Sequence, residues 1–185
     1  MTTDRRTLLA DAALDVLADE GMRGLTHRAV DRRAAMPPGT TSAYFRTRAA
    51  LLTGLVTRLV HLDQAELHAT AEELPPLRNR EDLVDGMALL TRRRLTGEGR
   101  RRSLARHACA VESVRDPELR DILVPRENAG REAVRRFLTA HGVPDVENRT
   151  DTLLTCLDGL VFDRLVNGGE VRREALEGLA AAALR

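Results

Sequence analysis

The chain has 185 residues, and its 29 basic residues, all of them arginine, balance 28 acidic ones to leave a net charge of +1. A composition of 43% hydrophobic and 31% charged residues is typical of a folded globular protein and excludes a disordered tail. With one Tyr, three Phe and no Trp, the chain lacks the aromatic residues that a stacking platform for single-stranded nucleic acid requires.

Cysteines and apolar runs set the expected compartment. Cys109 and Cys156 are too few for a disulfide framework. No stretch approaches the roughly 18 uncharged apolar residues of a membrane span, so we expect a soluble, cytoplasmic protein that does not contact a membrane. His61 and His68 share one helix face, but two ligands without a further partner do not make a metal site, and we expect neither metal nor cofactor.

Helical periodicity begins near the start of the chain. Apolar residues from Leu9 to Leu17 recur at helical spacing, and Gly21 can supply the left-handed cap that ends this first helix. Thr26 is a suitable N-cap for a second helix. Pro37 and Pro38 keep that helix short, because proline disfavours helix at the residue before it.

A third short helix is predicted from about Gly39 to Phe45, directly after the doubled proline. Residues 1–46 therefore hold three short helices, of which the last two are joined by a tight turn. This is a helix-turn-helix pattern.

Longer helices are predicted over the rest of the chain, at about 48–73, 81–96, 100–115, 117–140, 146–167 and 172–184. Pro125 lies inside the helix at 117–140 and should kink or break it near Ile122. The sequence has no strand alternation and no repeat. We expect an all-α fold of about nine helices, with a helix-turn-helix domain at 1–47 and a second helical domain at 48–185.

Positive charge is concentrated on the helix-turn-helix. Residues 21–50 contain six arginines and one acidic residue, Asp31, whereas residues 1–20 contain five acidic residues and two arginines. Phosphate neutralisation releases counterions and supplies much of the free energy of DNA binding, so this segment indicates a DNA-binding surface. A solvated charged face without a partner is the alternative.

A second basic cluster runs from Arg92 to Arg106, where seven arginines accompany the single acidic residue Glu98. Three interpretations stand side by side: added attraction for DNA, a site for an acidic ligand, and a solvated surface with a few salt bridges.

One ordered motif combines the turn with the third helix. Its residues, in order, are Gly39, Thr40, Thr41, Tyr44, Phe45, Thr47, Arg48 and Leu51. In order and spacing they resemble the Gly-Thr-Leu-Tyr-x-Tyr-Phe and Ser-Lys-x-x-Leu pattern of the tetracycline-repressor (TetR) family of bacterial regulators. The sequence departs from the family pattern at Ala35, where the turn glycine is usual, and at Ser42, which replaces a common aromatic residue.

The resemblance implies a site for double-stranded DNA on the helix-turn-helix. The third helix would be the recognition helix and would enter the major groove, where Thr40 and Thr41 are short enough to meet base edges, while Tyr44 and Arg48 would contact phosphates. The residues expected at DNA are Thr26, His27, Arg28, Pro38, Gly39, Thr40, Thr41, Tyr44 and Arg48.

The resemblance also implies a homodimer on a near-palindromic operator, joined through the last two helices. The residues expected in the dimer interface are Leu153, Leu157, Leu160, Val161, Leu176, Leu179 and Ala183. Apolar stripes of this kind are more often ordinary core, which is the alternative.

The second domain is implied to bind a small-molecule effector that lowers DNA affinity through a coupling free energy of about 1–3 kcal/mol. The candidate pocket residues are His107, Cys109, Glu112, Phe137 and Phe162. Because aromatic residues are scarce, an aliphatic pocket with one or two polar anchors is favoured over a cage for flat cationic drugs.

Two rival functions are disfavoured. The sequence has no GxGxxG, Walker, GxSxG, HExxH or CxxC motif, so we expect no enzyme. Its near-neutral charge argues against a protein that coats DNA without regard to sequence. The interpretation is a ligand-responsive transcriptional regulator, namely a repressor released by a small molecule.

Overall fold

The computed structural model describes residues 4–124 and 128–185, and within those ranges the chain folds into ten helices without a strand. They are α1 (Arg5–Gly24), α2 (His27–Arg33), α3 (Thr40–Tyr44), α4 (Arg48–Glu73), α5 (Arg80–Leu95), α6 (Gly97–Ser113), α7 (Pro117–Leu123), α8 (Ala129–Ala140), α9 (Val146–Asn167) and α10 (Arg173–Ala183). The predicted all-α fold is confirmed. Ten helices replace about nine because α7 and α8 divide the helix predicted at 117–140; Pro125 itself lies outside the described residues.

Side-chain caps explain where several helices begin. The Thr26 hydroxyl accepts from the N–H of Ala29 at 3.2 Å and starts α2 as predicted. The caps of α5, α7 and α8 are Asn79, Asp116 and Asn128. Gly21 adopts φ +69° and interrupts α1 at the residue where the sequence predicts its end. Local chemistry therefore sets most of these boundaries.

The connection between α5 and α6 is tighter than the loop that the sequence predicts, because Thr96 alone separates the two helices. Gly97 opens α6 with φ +48°, and a Cβ at Gly99 would collide with the carbonyl of Arg93. Glycine is required here by both backbone conformation and close approach.

The helices form two compact units. The first contains the chain up to Asp63 and resumes from Arg101. Its largest fully buried side chains include Leu9, Leu25, Phe45, Leu51 and Leu55. Each such side chain stabilises the fold by about 1.5–3 kcal/mol, so α1, α2, α3 and the start of α4 are held around one core.

The second unit contains Gln64–Arg100 and the described residues 128–185. Its core includes Leu83, Phe137, Leu138, Leu153 and Leu176. Helices α4 and α6 supply residues to both units. Throughout the ranges that the structure describes, no helix combines the length and apolar character needed to cross a membrane.

Candidate functional site

The turn after α2 is closed by two backbone hydrogen bonds. The N–H of Ala35 donates to the carbonyl of Arg32 at 3.3 Å, and the N–H of Met36 donates to the carbonyl of Asp31 at 2.9 Å. This pair of bonds forms a Schellman motif, in which the residue at the position of Ala35 adopts a left-handed conformation and is usually glycine. Ala35 adopts φ +51°, so its Cβ strains the turn.

Replacement of Ala35 by glycine should relieve this strain. We expect Ala35→Gly to raise the free energy of unfolding by about 0.5–1 kcal/mol, after the greater entropy of glycine in the unfolded chain is subtracted. Urea unfolding followed by circular dichroism measures the change. The matched control is Ala49→Gly in α4, where φ is negative, and it should destabilise the protein by a similar amount. A decrease in stability for both variants would contradict the strained turn.

Asp31 joins the two helices of the motif. One carboxylate oxygen, Oδ2, accepts from the N–H of Gly39 at 2.8 Å, and Oδ1 accepts from the Thr41 N–H at 2.7 Å and hydroxyl at 2.5 Å. Asp31 is only 3% exposed. Its carboxylate thus satisfies backbone N–H groups at the start of α3 that have no partner within the helix.

Two opposing effects act on the ionisation of Asp31. Burial raises its pKa, but hydrogen bonds from Thr41 and Gly39, together with the nearby His27, outweigh burial and hold the pKa below its usual value. Asp31 therefore stabilises the fold at pH values above the usual pKa of aspartate, and this contribution to stability is lost as the pH falls through the folded-state pKa. In the sequence, Asp31 stands out only as the single acidic residue of a basic segment, and its role as a cap was missed.

The other end of α3 is held by neighbouring helices. The Nε2 of His27 lies 2.7 Å from the carbonyl oxygen of Phe45, and the guanidinium of Arg6 stacks 4.7 Å from the centre of the Phe45 ring. Gly54 leaves room for this ring, because a Cβ there would collide with it. Contacts at both ends fix a helix of five residues that would not be stable alone.

Most residues predicted at DNA lie on the surface of this motif. Tyr44 is 36% exposed, and the side chain of Arg28 makes no ion pair or hydrogen bond to any residue that the structure describes. The other exposed members are Thr26, Pro38, Gly39 and Arg48, and the half-buried ones are His27 and Thr40.

Thr41 lies elsewhere. It is fully buried, and its hydroxyl donates to Asp31. A buried hydroxyl in this position does not reach a base edge, so the prediction that Thr41 contacts bases is corrected: it holds α3 in place. The hydroxyl of Thr40 donates to the carbonyl of Pro37 at 2.7 Å, and Thr40 remains partly accessible.

Arg48 also has a structural contact that the sequence did not predict. Its guanidinium donates to the carbonyl of Met22 at 2.7 Å and to the carbonyl of Leu25. A cation near the C-terminal carbonyls of α1 is favourably placed relative to the helix dipole. The side chain thus ties the start of α4 to the connection between α1 and α2.

The basic character of the motif persists at its surface. Arg33 pairs with Asp19 at 2.8 Å. Arg28, Arg32 and Arg46 are exposed and have no acidic partner among residues 4–124 and 128–185. Their charge is therefore available to an anionic partner.

The second basic cluster is built largely into ion pairs within each unit. Arg101 donates to Asp19 at 2.7 Å and to Asp15 at 3.0 Å. Hydrogen bonds from Arg101 and Arg33 lower the pKa of Asp19. Further pairs are Arg106 with Asp63, Arg93 with Glu73 and Arg94 with Asp158. Of the three interpretations of this cluster, salt bridges are the one that these contacts support.

A cavity of about 660 Å³ lies in the second unit. It is lined by the end of α4, the Pro75-Pro76 segment, α5, α8 and α9, and most of the lining side chains are aliphatic. Among the described lining residues, Phe137 is the one aromatic residue and Arg136 the one charged residue, while Thr70 adds a hydroxyl. A cavity of this size accepts a small molecule.

The predicted pocket residues are only partly at this cavity, because Phe137 lines it and His107, Cys109, Glu112 and Phe162 do not. Cys109 is in the core of the first unit, where burial raises the pKa of its thiol to about 12. His107 is half-buried in α6, Glu112 is exposed, and Phe162 is 50% exposed on α9. These four residues do not line this cavity, and their role at a ligand stays a prediction.

The predicted dimer residues mostly belong to the protomer's own core. Those buried there are Leu153, Leu157, Val161, Leu176 and Ala183, whereas Leu160 and Leu179 are half-buried. The interface prediction is corrected for the five buried residues, because a periodic leucine stripe marks a buried face without showing what covers it.

The opposite face of α9 is exposed and uncharged along most of its length. The residues of this face are Thr152, Thr155, Cys156, Gly159, Phe162 and Val166. We call it the small-residue face, because its first four members have small side chains. Within residues 4–124 and 128–185, and apart from the adjoining helix backbone, nothing lies within 4 Å of a Cβ built at Gly159, nor of one built at Gly178 on α10. Small side chains at the surface permit another helix to approach closely.

Family models match both parts of the chain. Residues 78–185 match the tetracyclin repressor-like C-terminal domain, and residues 9–55 match the bacterial regulatory proteins of the tetR family. The chain belongs to the TetR family. As a TetR-family protein it is a transcriptional regulator and not an enzyme, and both predictions are confirmed.

Solved structures share the fold of this TetR-family chain. A transcriptional regulator from Rhodococcus sp. Rha1 superposes with a TM-score of 0.76 at 25% identity, covering 98% of this chain and 94% of the other. A TetR-family member from Streptomyces coelicolor A3 gives 0.74 at 23% identity, covering 98% and 99%. The multidrug binding protein EbrR, solved with ethidium, gives 0.72 at 23%, again covering 98% and 99%. No curated protein matches the sequence significantly.

Proposed function

We propose that this TetR-family regulator is a cytoplasmic repressor that binds a near-palindromic operator as a homodimer and is released by a small molecule. Residues 1–47 bind DNA, and residues 48–185 bind the effector and form the dimer. The observation that carries the proposal is the recognition helix α3, fixed at both ends beside exposed arginines without acidic partners among the described residues.

In this proposal α3 enters the major groove, where all base pairs are distinguishable. Thr40 reads a base edge, and Pro38 and Gly39 bring the backbone to the groove. The phosphates are contacted by Thr26, His27, Arg28, Tyr44 and Arg48, and these contacts position the protein without reading sequence. Arg48 uses the guanidinium N–H groups that do not donate to carbonyls.

One helix of this length offers too few contacts for a specific site, so two copies are needed. The dimer forms through the small-residue face of α9 together with the exposed side of α10, with Leu160 and Leu179 at its edge. It places two recognition helices on half-sites about 34 Å apart, one turn of the DNA helix.

Effector binding in the second unit favours a dimer in which the two recognition helices no longer fit adjacent half-sites. The 660 Å³ cavity supports this part of the proposal, and the multidrug binding protein EbrR provides a structural precedent for ligand binding on this fold. Coupling free energies of about 1–3 kcal/mol would lower DNA affinity by roughly 5- to 150-fold.

Arg28→Ala tests the phosphate contacts. We expect the variant to weaken binding to an operator duplex and to a scrambled duplex by the same factor, and to reduce the salt slope by about two, because a dimer loses two phosphate contacts. Fluorescence anisotropy titrations over a series of salt concentrations measure both quantities. Arg120→Ala is the matched control, since Arg120 is 56% exposed on α7, outside the helix-turn-helix. An unchanged salt slope with an altered base preference would contradict the assigned role.

A further inference from the structure

The cavity of the second unit has a chemistry that specifies its ligand class. We propose that it binds the acyl chain of a fatty acid, with the carboxylate held by Arg136. This inference rests on the proposed function only in treating the cavity as the effector site; the ligand class follows from the residues that line the cavity.

The size and lining of the cavity fit a flexible aliphatic chain. Leucines from three directions line it, including Leu67 of α4, Leu90 of α5 and Leu154 of α9. Small residues of α8, among them Ala129 and Ala133, keep the space open. Each methylene group transferred from water into such a lining raises affinity roughly fourfold, so an acyl chain of about a dozen carbons gains substantial binding free energy.

The charges of the lining select against a cation. Its described residues include no aspartate or glutamate, so a buried ammonium or iminium group would have no counter-charge. Phe137 is the single aromatic ring there, whereas recognition of flat or quaternary cations relies on several aromatic faces. A planar cationic drug therefore lacks both kinds of partner.

A carboxylate has a partner at the edge of the same cavity. The side chain of Arg136 is 72% exposed, and its Nε lies 3.6 Å from the carboxylate of Glu132, a loose surface pair. A guanidinium in this position can bind a second carboxylate while the acyl chain enters the cavity. Such a head group stays partly hydrated, which avoids the cost of burying a charge.

The other polar group of the lining is already hydrogen-bonded. The hydroxyl of Thr70 donates to the carbonyl of Glu66 at 2.8 Å and accepts from Arg93 at 2.5 Å. Because Thr70 is hydrogen-bonded within the protein, it does not require a polar ligand group beside it. The inner part of the cavity is therefore suited to the methylene groups alone.

Displacement of fluorescent cis-parinaric acid from the full-length protein, without DNA, tests the inference. We expect octanoate, decanoate and dodecanoate to displace it with affinities that rise about fifteenfold per two added carbons. Dodecyltrimethylammonium should bind at least tenfold more weakly than dodecanoate, and ethidium should not compete. Affinities that do not change with the length of the fatty acid, or tighter binding of ethidium than of dodecanoate, would overturn the proposal.

Two variants locate the chain and the head group. Ala133→Phe fills the cavity and should weaken dodecanoate binding at least twentyfold, whereas Thr139→Phe adds the same ring at an exposed position of α8 and should have no effect. Arg136→Gln should weaken the binding of dodecanoate several-fold and leave the binding of dodecanol unchanged. Equal binding by Ala133→Phe and wild type, with circular dichroism unchanged, would overturn the location; an equal loss for dodecanoate and dodecanol in Arg136→Gln would overturn the head-group contact.

These outcomes are separable from the proposed function. If the protein binds dodecanoate with the expected series but recognises no operator, the repressor proposal fails and the ligand class stands. If it binds an operator specifically and no fatty acid, the ligand class fails and the repressor proposal stands.

Discussion

Replacement of Asp31 by alanine is expected to lower the free energy of unfolding by about 3 kcal/mol and to abolish operator binding. The substitution removes three hydrogen bonds to a charged acceptor and leaves the N–H of Thr41 buried without a partner. It also removes the cap that fixes the start of α3, so the recognition helix loses its orientation. Urea unfolding and anisotropy with an operator duplex measure the two effects.

The pH dependence distinguishes this carboxylate from a generic core residue. Since hydrogen bonds hold the pKa of Asp31 low, wild type should lose stability as the pH falls below the ordinary aspartate range, and Asp31→Asn should lack that component. The difference in the free energy of unfolding between wild type and Asp31→Asn should therefore become smaller as the pH falls. Asp4→Asn is the matched control, because Asp4 is exposed and its side chain makes no cap hydrogen bond. A difference in the free energy of unfolding that stays constant with pH would contradict the role of Asp31 as an ionised cap.

If the protein forms the proposed dimer through α9, Gly159→Arg is expected to convert it into a monomer and to weaken operator binding on the order of 10²- to 10⁴-fold. Gly159 lies in the small-residue face, and a Cβ added there meets no atom of the described residues within 4 Å beyond the adjoining helix backbone. The protomer should therefore fold normally, while a charged, bulky side chain prevents a second helix from approaching. Loss of the dimer removes the gain in affinity from binding two half-sites at once.

Light scattering after gel filtration gives the mass, and anisotropy gives the affinity for the operator duplex. Thr139→Arg on α8 introduces the same charge at another exposed position of the second unit and should remain dimeric with full affinity. A Gly159→Arg protein that stays dimeric would place the interface on another surface.

The features of the fold that depend on neighbouring residues could be predicted from the sequence. Thr26 capped α2 as expected, and Gly21 left the helical conformation where the first helix was predicted to end. The motif from Gly39 to Leu51 located the helix-turn-helix because each of its features depends on neighbouring residues. The tight connection between α5 and α6 was harder to predict, because the left-handed conformation of one residue, Gly97, takes the place of a longer loop.

Predictions that depended on what covers a residue were less accurate. Leu153 and Leu157 have the spacing of a buried face, but periodicity does not tell a protomer's own core from a dimer interface. Asp31 and Thr41 are ten positions apart, and their hydrogen bond exists only once the turn has formed. The cavity combines four helices, and its best sequence signals were the doubled proline after α4 and the small residues of α8.

The most direct test of specific operator binding is an anisotropy titration of the purified protein onto DNA from upstream of its own gene. A scrambled duplex serves as the control, at two salt concentrations. We expect the native duplex to bind roughly 10³-fold or more tightly, with two protomers per site. Equal, salt-sensitive binding to every duplex tiled across the neighbouring genes, or one protomer per site, would contradict a dimeric, sequence-specific repressor.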